Sequence, residues 1–195
     1  MDAAAVVVVL AGYLLGSVDF GVIVPRLRGV DIYGRGSGNP GATNVLRTMG
    51  RKTAAVVVLG DIAKGSLAAM LGDLVGGDAL GFAAGFAAVT GHCFPIWHRF
   101  HGGKGVATSA GIAVWLAPWL GLALLVAWGL IVAVAKRASI ASLTVAVALV
   151  PCLVVAGRRG WVLAWAGATA ALIVARHHDN IRRLLGGCEH VVEAS

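Results

Sequence analysis

Charge is scarce in this chain: 13% of its 195 residues are charged, about half the share carried by an ordinary soluble domain. That deficit excludes a globule whose surface is solvated by water on every side. Cysteine is scarce too, and Cys93, Cys152 and Cys188 form no CxxC pair, which excludes a disulfide framework and a zinc ribbon. Each is expected to be a buried small residue in reducing surroundings. No GxxxxGK[ST] occurs, so a P-loop nucleotidase is excluded. No cluster of metal-ligand residues shows in the spacing, and no cofactor is expected. Aromatic residues make up only 7% and are nearly absent between the apolar runs. The net charge of +7 therefore does not read as a nucleic-acid surface, and its basic residues sit in short clusters between those runs. The first apolar run has no basic segment before it and no A-x-A cleavage pattern after it, so it is expected to remain as a span.

What the chain has in quantity is hydrophobic residues, 58%. Ala3 to Leu15, Thr53 to Leu59, Val106 to Val134 and Ser139 to Ala156 are apolar on every face, as only lipid-facing or deeply buried helices need to be. The fold class expected is an all-α polytopic membrane protein, residues 1–195 forming one domain. About seven transmembrane helices are expected, with the N-terminus outside and the C-terminus cytoplasmic. Span one covers Ala3 to Val24 and leads to a loop with Arg26, Arg28, Arg35, Arg47, Arg51 and Lys52, which the positive-inside rule places in the cytoplasm. Span two, Thr53 to Leu71, ends outside at "GDLVGGD"; span three, Ala79 to Trp97, returns to "HRFHGGKG". The run Val106 to Val134 has 29 residues, about 44 Å as one helix against a hydrocarbon core of about 30 Å. Pro118 is expected to break it into two short or re-entrant helices. Spans near Ser139 to Ala156 and Trp161 to Ala175 complete the set, leaving the turn "GRRG" at 157–160 outside against the charge rule. Three polar clusters, residues 35–52, 98–105 and 176–190, then share one face.

Two of these clusters have the chemistry of anion cradles. "GSGNPGATN" offers Gly36, Gly38 and Gly41 for close backbone approach, Ser37, Asn39, Thr43 and Asn44 as donors, and Arg47 one turn further on. Glycine-rich backbone leading into a helix binds anions. "HGGKGVATS" repeats the pattern with Gly102, Gly103 and Gly105 around Lys104, and Thr108 opening the next helix. Glycines in membrane proteins also serve close helix packing, but here they stand among cations and hydroxyl or amide donors. Two cradles imply two phosphate-bearing ligands, or one ligand with two anionic ends. His92 lies near the end of span three, about ten residues before the Lys104 loop. Asp61 and Lys64, one turn apart, are expected to pair inside the membrane or to buttress Arg47. Asp19 is a further intramembrane acid. His177, Asn180 and Glu189 read by default as solvated helix surface.

The ordered motifs resemble the PlsY family of bacterial acyl-phosphate:glycerol-3-phosphate acyltransferases. They are GS-x-x-FG (Gly16 to Gly21), GSGNPGATNVLR (Gly36 to Arg47), D-x-x-KG (Asp61 to Gly65), GHCFP (Gly91 to Pro95), GGKGVAT (Gly102 to Thr108), S-x-x-S (Ser139 to Ser142) and NI-x-RLL-x-G-x-EH (Asn180 to His190). The resemblance implies seven helices in the bacterial inner membrane and a cytoplasmic-face site. It implies transfer of an acyl group from acyl phosphate to the sn-1 hydroxyl of glycerol 3-phosphate, giving lysophosphatidic acid and phosphate, with neither CoA nor acyl carrier protein as direct donor. Both substrates and membrane lipid are the partners implied; no stable protein partner is indicated. By the same resemblance Ser37, Arg47, Lys104, Ser142, His177 and Asn180 look like the polar lining, the glycines of 36–41 like the glycerol-3-phosphate loop, and His92 like a base or an orienting group. The chain departs from the family at Asp19, where proline is usual, at Tyr33, where a basic residue is usual and Arg35 is expected to compensate, and at His101. The competing reading is a small phosphate or organic-anion transporter; transporters often carry a repeated half, and the full "GSGNPGATN" pattern has no second copy.

Overall fold

A computed structural model describes residues 2–192, and among them the regular structure is entirely helical. Helix α1 (Ala3–Gly16) leads to α2 (Phe20–Arg26), followed by a 3-10 turn (Ile32–Gly34) and α3 (Ala42–Cys93). Then come a second 3-10 turn (Ile96–His98), α4 (Val106–Leu116), α5 (Pro118–Ala135), α6 (Ala138–Val155), α7 (Trp161–Arg176) and α8 (His178–Leu185). Among the described residues, four stretches are long and apolar enough to cross a membrane: Ala3–Arg26, Ala42–His98, Pro118–Ala135 and Ala138–Val155. The second has 57 residues, about 85 Å if straight, more than one crossing. It is broken where glycine leaves helical geometry, at Gly50 and at the pair Gly76 and Gly77.

The break at Pro118 matches the expectation: Pro118 begins α5 after α4 ends at Leu116, because a proline lacks the N–H that a continuous helix needs. Span one keeps its extent but not its continuity. Instead of one helix to Val24, residues 17–19 interrupt it; Ser17 Oγ donates to the Tyr13 carbonyl, and the Asp19 carboxylate takes the Gly21 N–H at 3.0 Å to start α2. An aspartate at an N-cap favours a new start over continuation.

Packing is tight where glycine removes a side chain. A Cβ on Gly16 would lie 2.0 Å from the Ala88 carbonyl oxygen, and one on Gly65 2.0 Å from that of Thr108, so α1 and α4 both press directly on α3. The main core, including Phe82, Val89, Ile112, Leu149, Leu153 and Ala166, lies among α3, α4, α6 and α7. Helix α5 buries only Gly121 and exposes Trp119, Leu122, Val126, Leu130 and Val134, a surface suited to lipid. Cys188 is exposed rather than buried.

The two ends of the bundle differ. At one, Arg158 of the "GRRG" turn pairs with Asp78 and donates to the Leu116 carbonyl at 2.9 Å. The basic turn thus lies beside the acidic break of α3 and the α4–α5 corner, with the Arg158 charge paired. At the other end gather the loops after α2, the loop before α4, the α5–α6 corner and the C-terminal segment.

Candidate active site

The three polar clusters meet at that second end. Tyr33 donates to the His101 carbonyl at 2.6 Å, Arg47 Nε donates to the Val191 carbonyl at 3.0 Å, and Lys104 Nζ donates to Asn180 Oδ1. They enclose a cavity of about 210 Å³ that runs from the loops into the helices. Its polar end holds Ser37, Asn39, Thr43, Asn44, Arg47, Asp61, His92, Lys104, Ser139, Ser142, His177, Asn180, Arg183 and Glu189. Its other end is formed by Ala113, Gly121, Leu124, Leu125, Ala146 and Leu149 of α4, α5 and α6.

The 35–44 loop is shaped from within. Asn44 Oδ1 accepts the Ser37 N–H at 2.9 Å, while Asn44 Nδ2 donates to the Arg35 carbonyl at 3.0 Å. Gly36 has φ +55°, and a Cβ there would lie 2.2 Å from Asn44 Oδ1, so only glycine fits. Gly36 and Gly38 therefore stand behind the wall and shape it, whereas Gly41 lines it and caps α3 without a side-chain bond. The helix start behind Gly41 adds partial positive charge to the Arg47 side of the cavity. Arg35 is exposed and outside the wall, while the Tyr33 hydroxyl ties this loop to the backbone of His101.

In the second glycine loop one backbone amide of the expected anion nest is already used. Gly103 gives its N–H to the His92 carbonyl at 3.1 Å, and Arg176 holds the carbonyls of Gly102 and Gly103 at 2.9 and 3.2 Å. The Gly103 amide is already engaged, and a Cβ on Gly103 would come within 2.2 Å of His92 Nε2. Gly102 and Gly103 pack closely against His92, and Lys104 and Gly105 beside them line the cavity.

His177, Asn180 and Glu189 are not solvated helix surface: they are 3%, 6% and 7% exposed. The segment after α8 folds back, and Asn180 bridges Lys104 to Glu189, donating to Glu189 Oε1 at 2.6 Å, while Arg183 Nε holds Glu189 Oε2 at 2.9 Å. Burial, with Arg183 close by and Glu189 opposing, brings the Lys104 ammonium down to about 8. Burial alone would raise the Glu189 carboxyl, but the bonds from Asn180 and Arg183 hold it below the usual range. Burial likewise lowers His177 to about 4, although its bond to the Ile173 carbonyl opposes this. His177 is thus neutral at pH 7, with Nδ1 donating to that carbonyl at 2.7 Å.

His92 lies deeper. Asp61 and Lys64 pair at 2.7 Å as expected, and Lys64 Nζ also lies 2.9 Å from His92 Nδ1; neither acts on Arg47, which reaches the C-terminal segment. Asp19, Asp61 and His92 come within 4.8 Å of one another, a grouping invisible in sequence spacing, but the Lys64 ammonium already stands against both Asp61 and His92. Ser142 Oγ accepts from Trp128 Nε1 at 3.1 Å where the polar wall gives way to the apolar one. Sequence reasoning missed Arg176 and Arg183; the signal available was a cation at the end of an apolar helix and another three residues beyond Asn180.

Inside a helical bundle with lipid-suited faces, one cavity is thus lined by the cations Arg47, Lys104 and Arg183 and by apolar residues of α4, α5 and α6. Residues 6–187 match the family model for glycerol-3-phosphate acyltransferase. Relatives of that name from Ralstonia pickettii and Coxiella burnetii are 45% and 40% identical, the alignments covering 95% and 97% of this chain and 93% and 99% of theirs. The crystal structure of PlsY, an integral membrane glycerol 3-phosphate acyltransferase, in its glycerol 3-phosphate form superposes with a TM-score of 0.94 at 38% identity, covering 98% of this chain and 96% of that one. Its lysophosphatidic acid form gives 0.90 at 38% identity, covering 97% and 95%. The chain belongs to the glycerol-3-phosphate acyltransferase family; it is an integral membrane acyltransferase of phospholipid synthesis.

Proposed function

We propose that this acyltransferase moves a fatty acyl group from acyl phosphate to the sn-1 hydroxyl of glycerol 3-phosphate, releasing lysophosphatidic acid and phosphate. The observation that carries this reading is the continuity of one cavity from Arg47 and Lys104 to the apolar chamber of α4, α5 and α6. Glycerol 3-phosphate lies against the 37–47 loop, and the head of the acyl phosphate against Lys104, with its chain among Leu124, Leu125 and Leu149. An acyl phosphate is already activated, so the residues have chiefly to neutralise phosphate charge and align hydroxyl with carbonyl. The hydroxyl oxygen bonds to the acyl carbon, the bond from acyl carbon to phosphate oxygen breaks, and the leaving phosphate takes the hydroxyl proton. Ser37, Arg47, His92, Lys104 and Asn180 form the catalytic polar wall; Ser142 and His177 complete it beside the loops.

The reading includes seven membrane helices in the bacterial inner membrane, the N-terminus outside and the site on the cytoplasmic face. Its support is charge: Arg26, Arg28, Arg51, Lys52, Lys136 and Arg137 flank the site end, whereas Arg158 at the far end is paired with Asp78, as the positive-inside rule favours. The deciding experiment offers purified enzyme glycerol 3-phosphate with palmitoyl phosphate, palmitoyl-CoA or palmitoyl acyl carrier protein, following both products. Equal amounts of lysophosphatidic acid and phosphate from palmitoyl phosphate alone are expected; turnover with a thioester donor instead would overturn the donor assignment.

A further inference from the structure

Behind the site lies a buried cation, Lys64. Its Nζ carries three hydrogens and no lone pair; two hydrogen-bond acceptors meet it, the Val18 carbonyl at 2.8 Å and His92 Nδ1 at 2.9 Å, and Asp61 Oδ1 stands 2.7 Å away as its counter-charge. The contact with the imidazole therefore has one direction, with Nδ1 accepting. A neutral ring that accepts at Nδ1 carries its hydrogen on Nε2. We propose that Lys64 is a positioning residue that fixes His92 as the Nε2–H tautomer, so that His92 donates a hydrogen bond to a substrate oxygen in the cavity instead of removing the proton of the attacking hydroxyl. This rests on the acyl-transfer reading above and deepens it by giving His92 one of its two possible roles.

The charged groups facing the ring are Lys64, Asp61 and Asp19. Asp61 Oδ1 lies 3.5 Å from His92 Nδ1, at the limit of a hydrogen bond, and it is already held by Lys64. Asp19 uses Oδ1 on the Gly21 N–H, and its buried Oδ2 has no hydrogen-bond partner among the described residues. Without the ammonium, Asp61 becomes the nearest acceptor for a hydrogen on Nδ1, and the tautomer reverses, leaving Nε2 bare. Lys64 thus decides between a donor and a base. His177 provides the opposite case in the same cavity. Its Nδ1 meets the Ile173 carbonyl at 2.7 Å, an oxygen that only accepts, so its hydrogen sits on Nδ1. A donor at His92 suits the oxygen of the acyl carbonyl, where negative charge develops as the hydroxyl attacks. The hydrogen stays on the imidazole throughout.

Long-range proton–nitrogen spectra of the full-length enzyme, labelled with ¹⁵N-histidine in detergent micelles, read the tautomers directly, with His92 assigned by its loss in His92→Gln. The expected result is Nε2–H at His92 and Nδ1–H at His177, with His92 switching to Nδ1–H in Lys64→Met. An Nδ1–H signal at His92 in the unsubstituted enzyme overturns the proposal, even where Lys64→Met does not fold, and so does an unchanged tautomer in a folded Lys64→Met. This readout is independent of the acyl donor, so failure of the acyl-phosphate reading is distinguishable from failure here. Kinetically, the side-chain amide introduced by His92→Gln places an N–H near the position of Nε2 but takes up no proton at neutral pH. That variant is expected to keep turnover within about tenfold of the parent, and His92→Leu to fall by about a hundredfold or more. Equal losses in both variants would assign His92 as the base.

Discussion

Raising the pH is expected to silence the site through Lys104. Its ammonium is lowered from 10.5 to about 8, first by burial and then by Arg183, with Glu189 opposing. That difference corresponds to roughly 3 kcal/mol disfavouring the charged form in the empty enzyme, which a bound phosphate dianion is placed to offset. The sign is fixed: the ammonium is present below about 8 and lost above it. At pH 7 about ten charged lysines stand for each neutral one, and at pH 9 the ratio is reversed. The value of kcat/KM for glycerol 3-phosphate reports the free enzyme, so it is expected to hold level to about pH 8 and then fall about tenfold per pH unit. The limb in kcat should lie higher, because bound phosphate favours the ammonium. Glu189→Gln removes the opposing charge and should move the limb to lower pH. Initial rates of lysophosphatidic acid formation, blanked for spontaneous hydrolysis of the donor, measure all three. Lys104→Arg keeps its charge throughout, so whatever activity it retains should lose the limb. A level wild-type profile to about pH 9.5, or the same limb in Lys104→Arg, would refute the reasoning.

Two substitutions test the packing behind the site. Gly103→Ala puts a Cβ within 2.2 Å of His92 Nε2; a loss of about 1–3 kcal/mol, read as a lower Tm in detergent, with a larger fall in kcat than in glycerol-3-phosphate affinity, is expected, and parental turnover would contradict the placement of His92. Asp19→Asn keeps the cap on the Gly21 N–H and removes a buried carboxyl whose Oδ2 has no hydrogen-bond partner among the described residues, so its Tm should equal or exceed that of the parent, whereas Asp19→Leu should lose about 1 kcal/mol with the cap; a destabilised Asp19→Asn would show that the carboxyl group itself is required.

The comparison of sequence with structure turns on which interactions are local. Pro118 lacks the N–H that a continuous helix needs, so its break was readable from residue type, and the polar loop "GDLVGGD" separated spans two and three where Gly76 and Gly77 leave helical geometry. The break at residues 17–19 was not, because it depends on Asp19 folding back on Gly21 inside an otherwise apolar run. Likewise, glycine beside lysine in "HGGKG" suggested a nest, yet the fold commits the Gly103 amide to the His92 carbonyl and packs Gly102 and Gly103 against His92.

By itself, the sequence determined the solvent and the reaction family: apolar runs longer than any soluble core needs require a bilayer, and an ordered set of motifs extends over nearly the whole chain. Tertiary structure alone decided the protonation geometry. Lys64 and His92 are 28 residues apart, a separation that helical periodicity does not turn into a contact, and Lys104 meets Asn180 across 76. Burial, hydrogen direction and the charge of each group follow from those long-range contacts, since desolvation and hydrogen bonding depend on what surrounds an atom in space and not on what precedes it in the chain.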